Sequence, residues 1–292
     1  MTPADTKVGI VGVGHMGVGI ATCLQRAGHP LVLLGRPGNQ DTTALREGGA
    51  TLMTDRDRLA DASDVVLMVV TGAPQVEEVA LGEGGVVVAM REGALLIDHS
   101  TSLPETSRKV AEACGARRVR FLDAPMTRTP KEAREGRLNL IVGGPQDAFA
   151  AARPLFDRYA ENVAHVGGVG AGHAMKLLHN YVSLGFSAVM AEAAACARRM
   201  GIEADAFLDV VGKGGGGGVI FDRLAPYLRD GDGSGFTFAN ANAAKDLGYY
   251  LGMAQGAGAR AGMAGAVESL YAEARDRDGF ETVPTLIDLL SE

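Results

Sequence analysis

Lys176 and Asn180 stand one helical turn apart in AGHAMKLLHNYVSLGFSAVMAEAAACARRM, residues 171–200, a proline-free stretch with apolar residues on almost every face. The pattern predicts one long helix, about 45 Å at ~1.5 Å per residue. His173, Ser183 and Ser187 join the pair at steps of three and four, so these polar groups line one side. An ammonium set into an apolar wall must find a partner, lose its proton or snorkel to water. Spacing alone leaves a proton-transferring lysine and a snorkelling one both open.

A second chemistry is written near the start. Residues 7–11 read as a buried strand, followed at once by Gly12-Val13-Gly14-His15-Met16-Gly17 and a helical run to Ala27. Strand, glycine turn and helix in that order suit a dinucleotide: Gly12 for the tight turn, Gly14 for close approach to a pyrophosphate, Gly17 for helix–strand packing. Free amides at the helix start would face the phosphates, with His15 and Met16 beside them. The next strand, Leu31 to Leu34, ends in Gly35-Arg36-Pro37-Gly38 with no acidic residue to hold ribose hydroxyls. Arg36 suits a ribose 2′-phosphate, so NADP is expected ahead of NAD.

A third candidate is an anion site. Thr129-Pro130-Lys131-Glu132 reads as a capping box with proline at the first helical position, ended by Gly136. Arg128 just before it could meet an anionic substrate at the helix amides, or pair with Asp123 or Glu132 instead.

These residues need a scaffold. Strand-like runs recur at 64–70, 94–98, 119–122, 138–142 and 163–166, with helical stretches over 102–114 and 147–159. The alternation predicts a mostly parallel, doubly wound α/β sheet. Its strand ends would bring Val70, Thr71, Ser100 and Thr101 near the cofactor, and Gln75 is a further cofactor-contact candidate. After the glycine-rich joint at 167–170 strand signals fade. Helices are expected over 204–211, 221–228, 237–255, 263–278 and 285–290, with Gly214 to Gly218 as a mobile loop or a connector. The reading is a nucleotide-binding domain over 1–166 and an all-helical substrate and dimerisation domain over 167–292. The greasy central helix suggests a homodimer.

Composition narrows the partners. The chain has 292 residues, 47% of them hydrophobic, enough for two cores. A net charge of −7 without a basic run disfavours nucleic acid and anionic membrane surfaces. Cys23, Cys114 and Cys196 form no paired motif, which suits a reducing cytosol and offers no metal site. The polar start MTPADTK shows no signal peptide, and no window reads as a membrane span, so a cytoplasmic protein is expected.

In order, these motifs resemble the β-hydroxyacid dehydrogenase family over nearly the whole chain. GVGHMG is similar to its cofactor fingerprint, DHSTSLP (98–104) to its second signature, DAPMTRT (123–129) to its substrate loop, GHAMKLLHN (172–180) to its catalytic segment and KDL (245–247) to a late cofactor contact. The resemblance implies a Rossmann-like domain followed by an all-α domain. It implies Lys176 as proton donor and acceptor, Asn180 orienting substrate, Thr101 and Lys245 at the cofactor, and Thr127, Arg128 and Thr129 at the substrate anion. Thr127-Arg128-Thr129 departs from the Ser-Gly-Gly of most relatives and partly resembles sulfolactaldehyde reductases. His179 also departs, standing where an asparagine is usual. Two rivals share the fold: an imine reductase, whose kind lacks the lysine, and a nucleotide-binding module without turnover, which would have no reason to keep Lys176, Asn180 and Lys245 together.

Overall fold

Alternate residues of each central strand enter two different cores. In the computed structural model, which describes residues 6–292, Leu31 and Leu33 face one apolar cluster while Val32 and Leu34 face the other. Val65 and Leu67 against Val66 and Met68 repeat the split. Both faces of the sheet are covered, which is why these strands read as unbroken apolar runs. Residues 1–5 of the polar start lie outside the described residues.

The elements in chain order are β1 (Val8–Val11), α1 (His15–Arg26), β2 (Leu31–Leu34), α2 (Thr43–Glu47), β3 (Thr51–Met53), α3 (Arg56–Asp61), β4 (Val65–Met68), α4 (Ala73–Leu81), α5 (Val86–Ala89), β5 (Leu95–Asp98), α6 (Pro104–Ala116), β6 (Arg120–Asp123), β7 (Met126–Thr127), α7 (Pro130–Glu135), β8 (Leu138–Gly143), α8 (Gln146–Phe156) and β9 (Ala160–Gly167). They form a sheet of order β3-β2-β1-β4-β5-β6-β8-β7, with β9 on β8. Pairing is parallel from β3 through β6, then turns antiparallel at β6–β8 and β7–β8. The sequence reading missed β3, because Thr51 and Leu52 are exposed at the sheet edge and offer no apolar run. It also missed the two-residue β7.

The order reverses direction between β1 and β4, and ligand crevices in open α/β sheets form at such a point. Val69 N–H donates to Val11 O at 2.8 Å, His99 N–H to Met68 O at 2.8 Å and Ala124 N–H to Asp98 O at 2.7 Å. The carboxyl ends of β1, β4, β5 and β6 are thereby held side by side.

The helical part follows as α9 (Ala171–Arg199), α10 (Ala204–Lys213), α11 (Val219–Asp230), α12 (Asn240–Gly256), α13 (Gly262–Arg275) and α14 (Leu286–Ser291). The chain divides into one compact unit ending at Lys176 and a second over Leu177–Glu292, the division falling inside α9. The second unit has its own core, centred on Leu184, Leu247, Tyr271 and Leu286. Gly214 to Gly218 joins α10 to α11 as a turn. The helix expected from Thr237 begins three residues later, since Ala239 instead bridges Thr282 and Asn240 N–H donates to Glu281 O at 2.9 Å. Among the described residues no helix is long and apolar enough to cross a membrane.

Candidate active site

The glycine turn fits a dinucleotide. Gly12 has φ +102°, and a Cβ there would lie 2.1 Å from Val69 O. A Cβ on Gly17 would lie 2.0 Å from Gly12 O, so any larger residue would push α1 off the strand. A Cβ on Gly14 would meet nothing within 4 Å, leaving the space a pyrophosphate needs. Gly14 is also the N-cap of α1 and brings no capping side chain, so the first-turn amides remain available to an anion. His15 is exposed and Met16 half-buried.

The loop after β2 folds toward this turn. Gln40 N–H donates to Val13 O at 2.9 Å, and Asn39 Nδ2 to Leu34 O at 2.8 Å. Arg36 stands exposed on that loop. After β4, Val70 is half-buried, with its N–H on Ser100 Oγ at 3.0 Å. Thr71 and Gln75 are exposed, the latter on the first turn of α4. Thr101 is half-buried on the loop after β5. The expected cofactor residues up to position 101 therefore lie on the loops, or the first helical turns, that follow β1, β2, β4 and β5.

Arg128 departs from expectation in its partner. Its Nη1 pairs with Glu161 of β9 and donates to Arg137 O. The alternatives Asp123 and Glu132 are both engaged elsewhere. Glu132 closes the capping box with Thr129, whose N–H it accepts at 3.1 Å. Asp123 accepts from Gly170 N–H at 2.8 Å and His173 N–H at 2.9 Å. Glu161 lies thirty-three positions on, beyond reach of spacing arguments. Among the described residues Arg128 is also one of two non-glycine residues with positive φ, at +83°. Thr127 Oγ1 accepts from Asn139 Nδ2 at 3.1 Å. The loop sits beside the cofactor turn because α7 packs on α1 at Gly19, where a Cβ would lie 2.8 Å from Ala133.

Lys176 is buried, at 8% exposure, one turn beyond the fully buried His173. Burial holds the His173 pKa below its usual value against the opposing pull of Asp123 and Ser100 O, and the Lys176 charge adds a smaller push in the same direction as burial. Burial pushes Asp98 up to about 6 against the pull of Ser100, and raises Asp123 as well. Sequence spacing did not bring this group of ionisable residues together, and offered Asp123 only as one of two alternative partners for Arg128.

The second unit has a polar cluster of its own. Asn180 is buried, and its Nδ2 donates to Asp246 Oδ2 at 2.7 Å. Lys245 Nζ lies 3.1 Å from Asp246 Oδ1 and 5.4 Å from the Tyr249 ring centroid. Asp246 therefore holds both expected residues. His179 is exposed, its Nδ1 3.2 Å from Asn180 Oδ1.

Comparison with known proteins bears on the whole chain. Residues 7–167 match the family model for the NAD-binding domain of 6-phosphogluconate dehydrogenase, and residues 170–284 that for the NAD-binding region of NADP-dependent 3-hydroxyisobutyrate dehydrogenase. The chain belongs to the β-hydroxyacid dehydrogenase family. It is similar to 3-hydroxyisobutyrate dehydrogenase of Pseudomonas aeruginosa, 33% identical over 86% of either chain. It is similar also to the NAD-dependent L-serine dehydrogenase of that organism, 30% identical over 91% of either chain. Among solved structures, 3-hydroxyisobutyrate dehydrogenase from Salmonella typhimurium superposes with a TM-score of 0.84 at 29% identity, covering 98% of this chain and 100% of that one. As a β-hydroxyacid dehydrogenase the protein is an NAD(P)-dependent oxidoreductase, with the Rossmann-type sheet of that family.

Proposed function

We propose that the protein is an NADP-dependent oxidoreductase that interconverts a short β-hydroxy acid and its semialdehyde or keto acid. The observation that carries this reading is Lys176, buried on α9 one turn beyond His173, which itself meets Asp98 and Asp123 at the carboxyl ends of the strands. A nicotinamide cofactor, when bound, supplies or accepts the hydride. Gly12, Gly14 and Gly17 would hold its pyrophosphate at the α1 amides, with His15 and Met16 alongside. Arg36 would meet a 2′-phosphate, and Val70, Thr71, Gln75, Thr101 and Lys245 would contact the remainder.

Lys176 is the proton donor and acceptor at the substrate oxygen. As the carbonyl gains hydride its oxygen becomes basic, and an ammonium beside it delivers the proton; the reverse reaction runs through the neutral amine. Asn180 orients that oxygen, its own amide held by Asp246. Thr127, Arg128 and Thr129 receive the anionic end. Glu161 already presents a carboxylate to Arg128, and a substrate acid would replace it like for like.

The exposed apolar residues Met175, Leu178, Val182 and Val189 fall on one side of α9 and support burial against a second copy, as a homodimer. The thiols of Cys23, Cys114 and Cys196 are unpaired and suit a reducing cytoplasm.

A panel of semialdehyde acids with NADPH tests the reading. Consumption is expected with at least one of them and should vanish in Lys176→Ala. A variant that keeps wild-type rates would remove the lysine from the chemistry.

A further inference from the structure

Two adjacent strands end in a buried carboxylate at the same level, since Asp98 and Asp123 are direct partners in the β5–β6 register. Their tasks differ. Asp123 takes its two N–H bonds from Gly170, immediately before α9, and His173, in its first turn, amides that have no intrahelical acceptor. A Cβ at Gly172 would lie 2.5 Å from Asp123 O and 2.6 Å from Ile141 O, so the helix backbone rests directly on the strand ends. One end of α9 is thus clamped by β6.

His173 supplies a second clamp from its side chain. Its Nε2 is 3.0 Å from Ser100 O, and its Nδ1 is 2.6 Å from Ser107 Oγ on α6. One neutral tautomer satisfies both: Nε2–H donates to the carbonyl, and Nδ1 accepts the serine hydroxyl. Asp98 Oδ2 has no hydrogen-bond partner and stands 3.8 Å from Nε2, too far to take that proton from Ser100 O. Ser100 in turn accepts the Val70 N–H through its Oγ. The imidazole therefore ties α9 to the loops after β4 and β5.

A helix turns by about 100° per residue, so its rotational setting at His173 decides where the next turn points. We propose that His173 is a positioning residue of the reaction: its two ring hydrogen bonds fix the rotation of α9 and hence the direction in which Lys176 presents its amine. This rests on the reading of Lys176 as the proton-transferring group. An apolar residue of similar size would fill the same space at no desolvation cost, so packing does not account for the imidazole.

The test compares His173→Leu with His173→Gln in the full chain, the glutamine amide keeping a donor for Ser100 O. Steady-state constants are measured with the most active semialdehyde acid. Separately, acetic anhydride labelling of Lys176 in the protein without ligands is followed by peptide mass spectrometry. Misplacing a reacting group by about an ångström costs on the order of 100-fold, so leucine is expected to lower kcat by about 30-fold or more with KM within about three-fold. Lys176 should label faster in that variant as its turn loosens, and glutamine should recover most of both properties. Unchanged kcat and labelling in the leucine variant would overturn the proposal. So would equal losses in both variants that follow a lowered melting temperature. If leucine prevents folding, Ser107→Ala removes only the Nδ1 partner and is read in the same way: a lower kcat with faster labelling supports the proposal, and no change in either overturns it. Should Lys176→Ala prove fully active, the catalytic reading fails, while labelling still decides whether His173 orients the amine.

Discussion

Arg128 shows how a single side chain can be specified by type and left undecided by partner. Its guanidinium is held by Glu161 and Arg137 O, so a substrate anion bound there, as proposed, would have to displace a carboxylate already in place. Arg128→Ala is expected to raise KM for acid substrates by about ten-fold or more and leave neutral aldehydes nearly unaffected, as a lost charge-assisted pair requires. Glu161→Gln should do the opposite and lower KM for acids, because it removes the competitor. Equal effects on acids and neutral aldehydes would take both residues out of substrate recognition. Arg36 is exposed on a loop bonded to the glycine turn, where the proposed 2′-phosphate contact would be made. Arg36→Ala should cut kcat/KM with NADPH by about ten-fold while NADH is little changed, the difference of one charge-assisted hydrogen bond. Identical losses with both cofactors would rule out the 2′-phosphate contact.

At the scale of elements, α7 was legible to the residue: Thr129 at the N-cap, Pro130 first, Glu132 closing the box and Gly136 ending it at φ +74°. Each of these is a local backbone requirement, readable without knowing the fold. Thr129→Ala removes the cap and should cost about 1 kcal/mol, or ~2–4 °C in melting temperature for a domain this size. An unchanged melting curve would mean that packing of α7 on α1 through Gly19 carries the element alone. The long helix was equally readable in extent. What its pattern left open was which polar residues on it would be clamped, because Ser107 and Asp123, the partners of His173, lie more than sixty and exactly fifty positions away, respectively, in sequence.

For the whole molecule, buried ionisable groups in the first unit oppose one another across the acid range. His99 is held down to about 4 by burial, with Nδ1 on Ala124 O and Nε2 beside Tyr159 Oη. A depressed histidine stabilises the fold fully above its unfolded pKa of 6.5 and loses that contribution as pH falls toward 4. Asp98 has the reverse sign: raised to about 6, it adds stability below the unfolded value of 3.8 and loses it as pH rises through 6. Each shift corresponds to about 3 kcal/mol, so between pH 6.5 and 4 the two nearly offset. Urea titrations at several pH values should find Asp98→Asn more acid-sensitive than the wild type in that window and His99→Gln less so. Parallel pH curves for all three proteins would contradict this balance.

Sequence alone determined the sheet class, the glycine turn, the long helix and the residue types able to bind a dinucleotide and move a proton. Those features follow from local periodicity and backbone freedom, which act over a few neighbouring residues. Only the tertiary structure decided that Asp123 clamps α9, that Glu161 occupies Arg128 and that Asp246 holds Asn180 and Lys245. Partner choice between distant charges depends on burial and geometry, and both arise only once the sheet has stacked its strand ends.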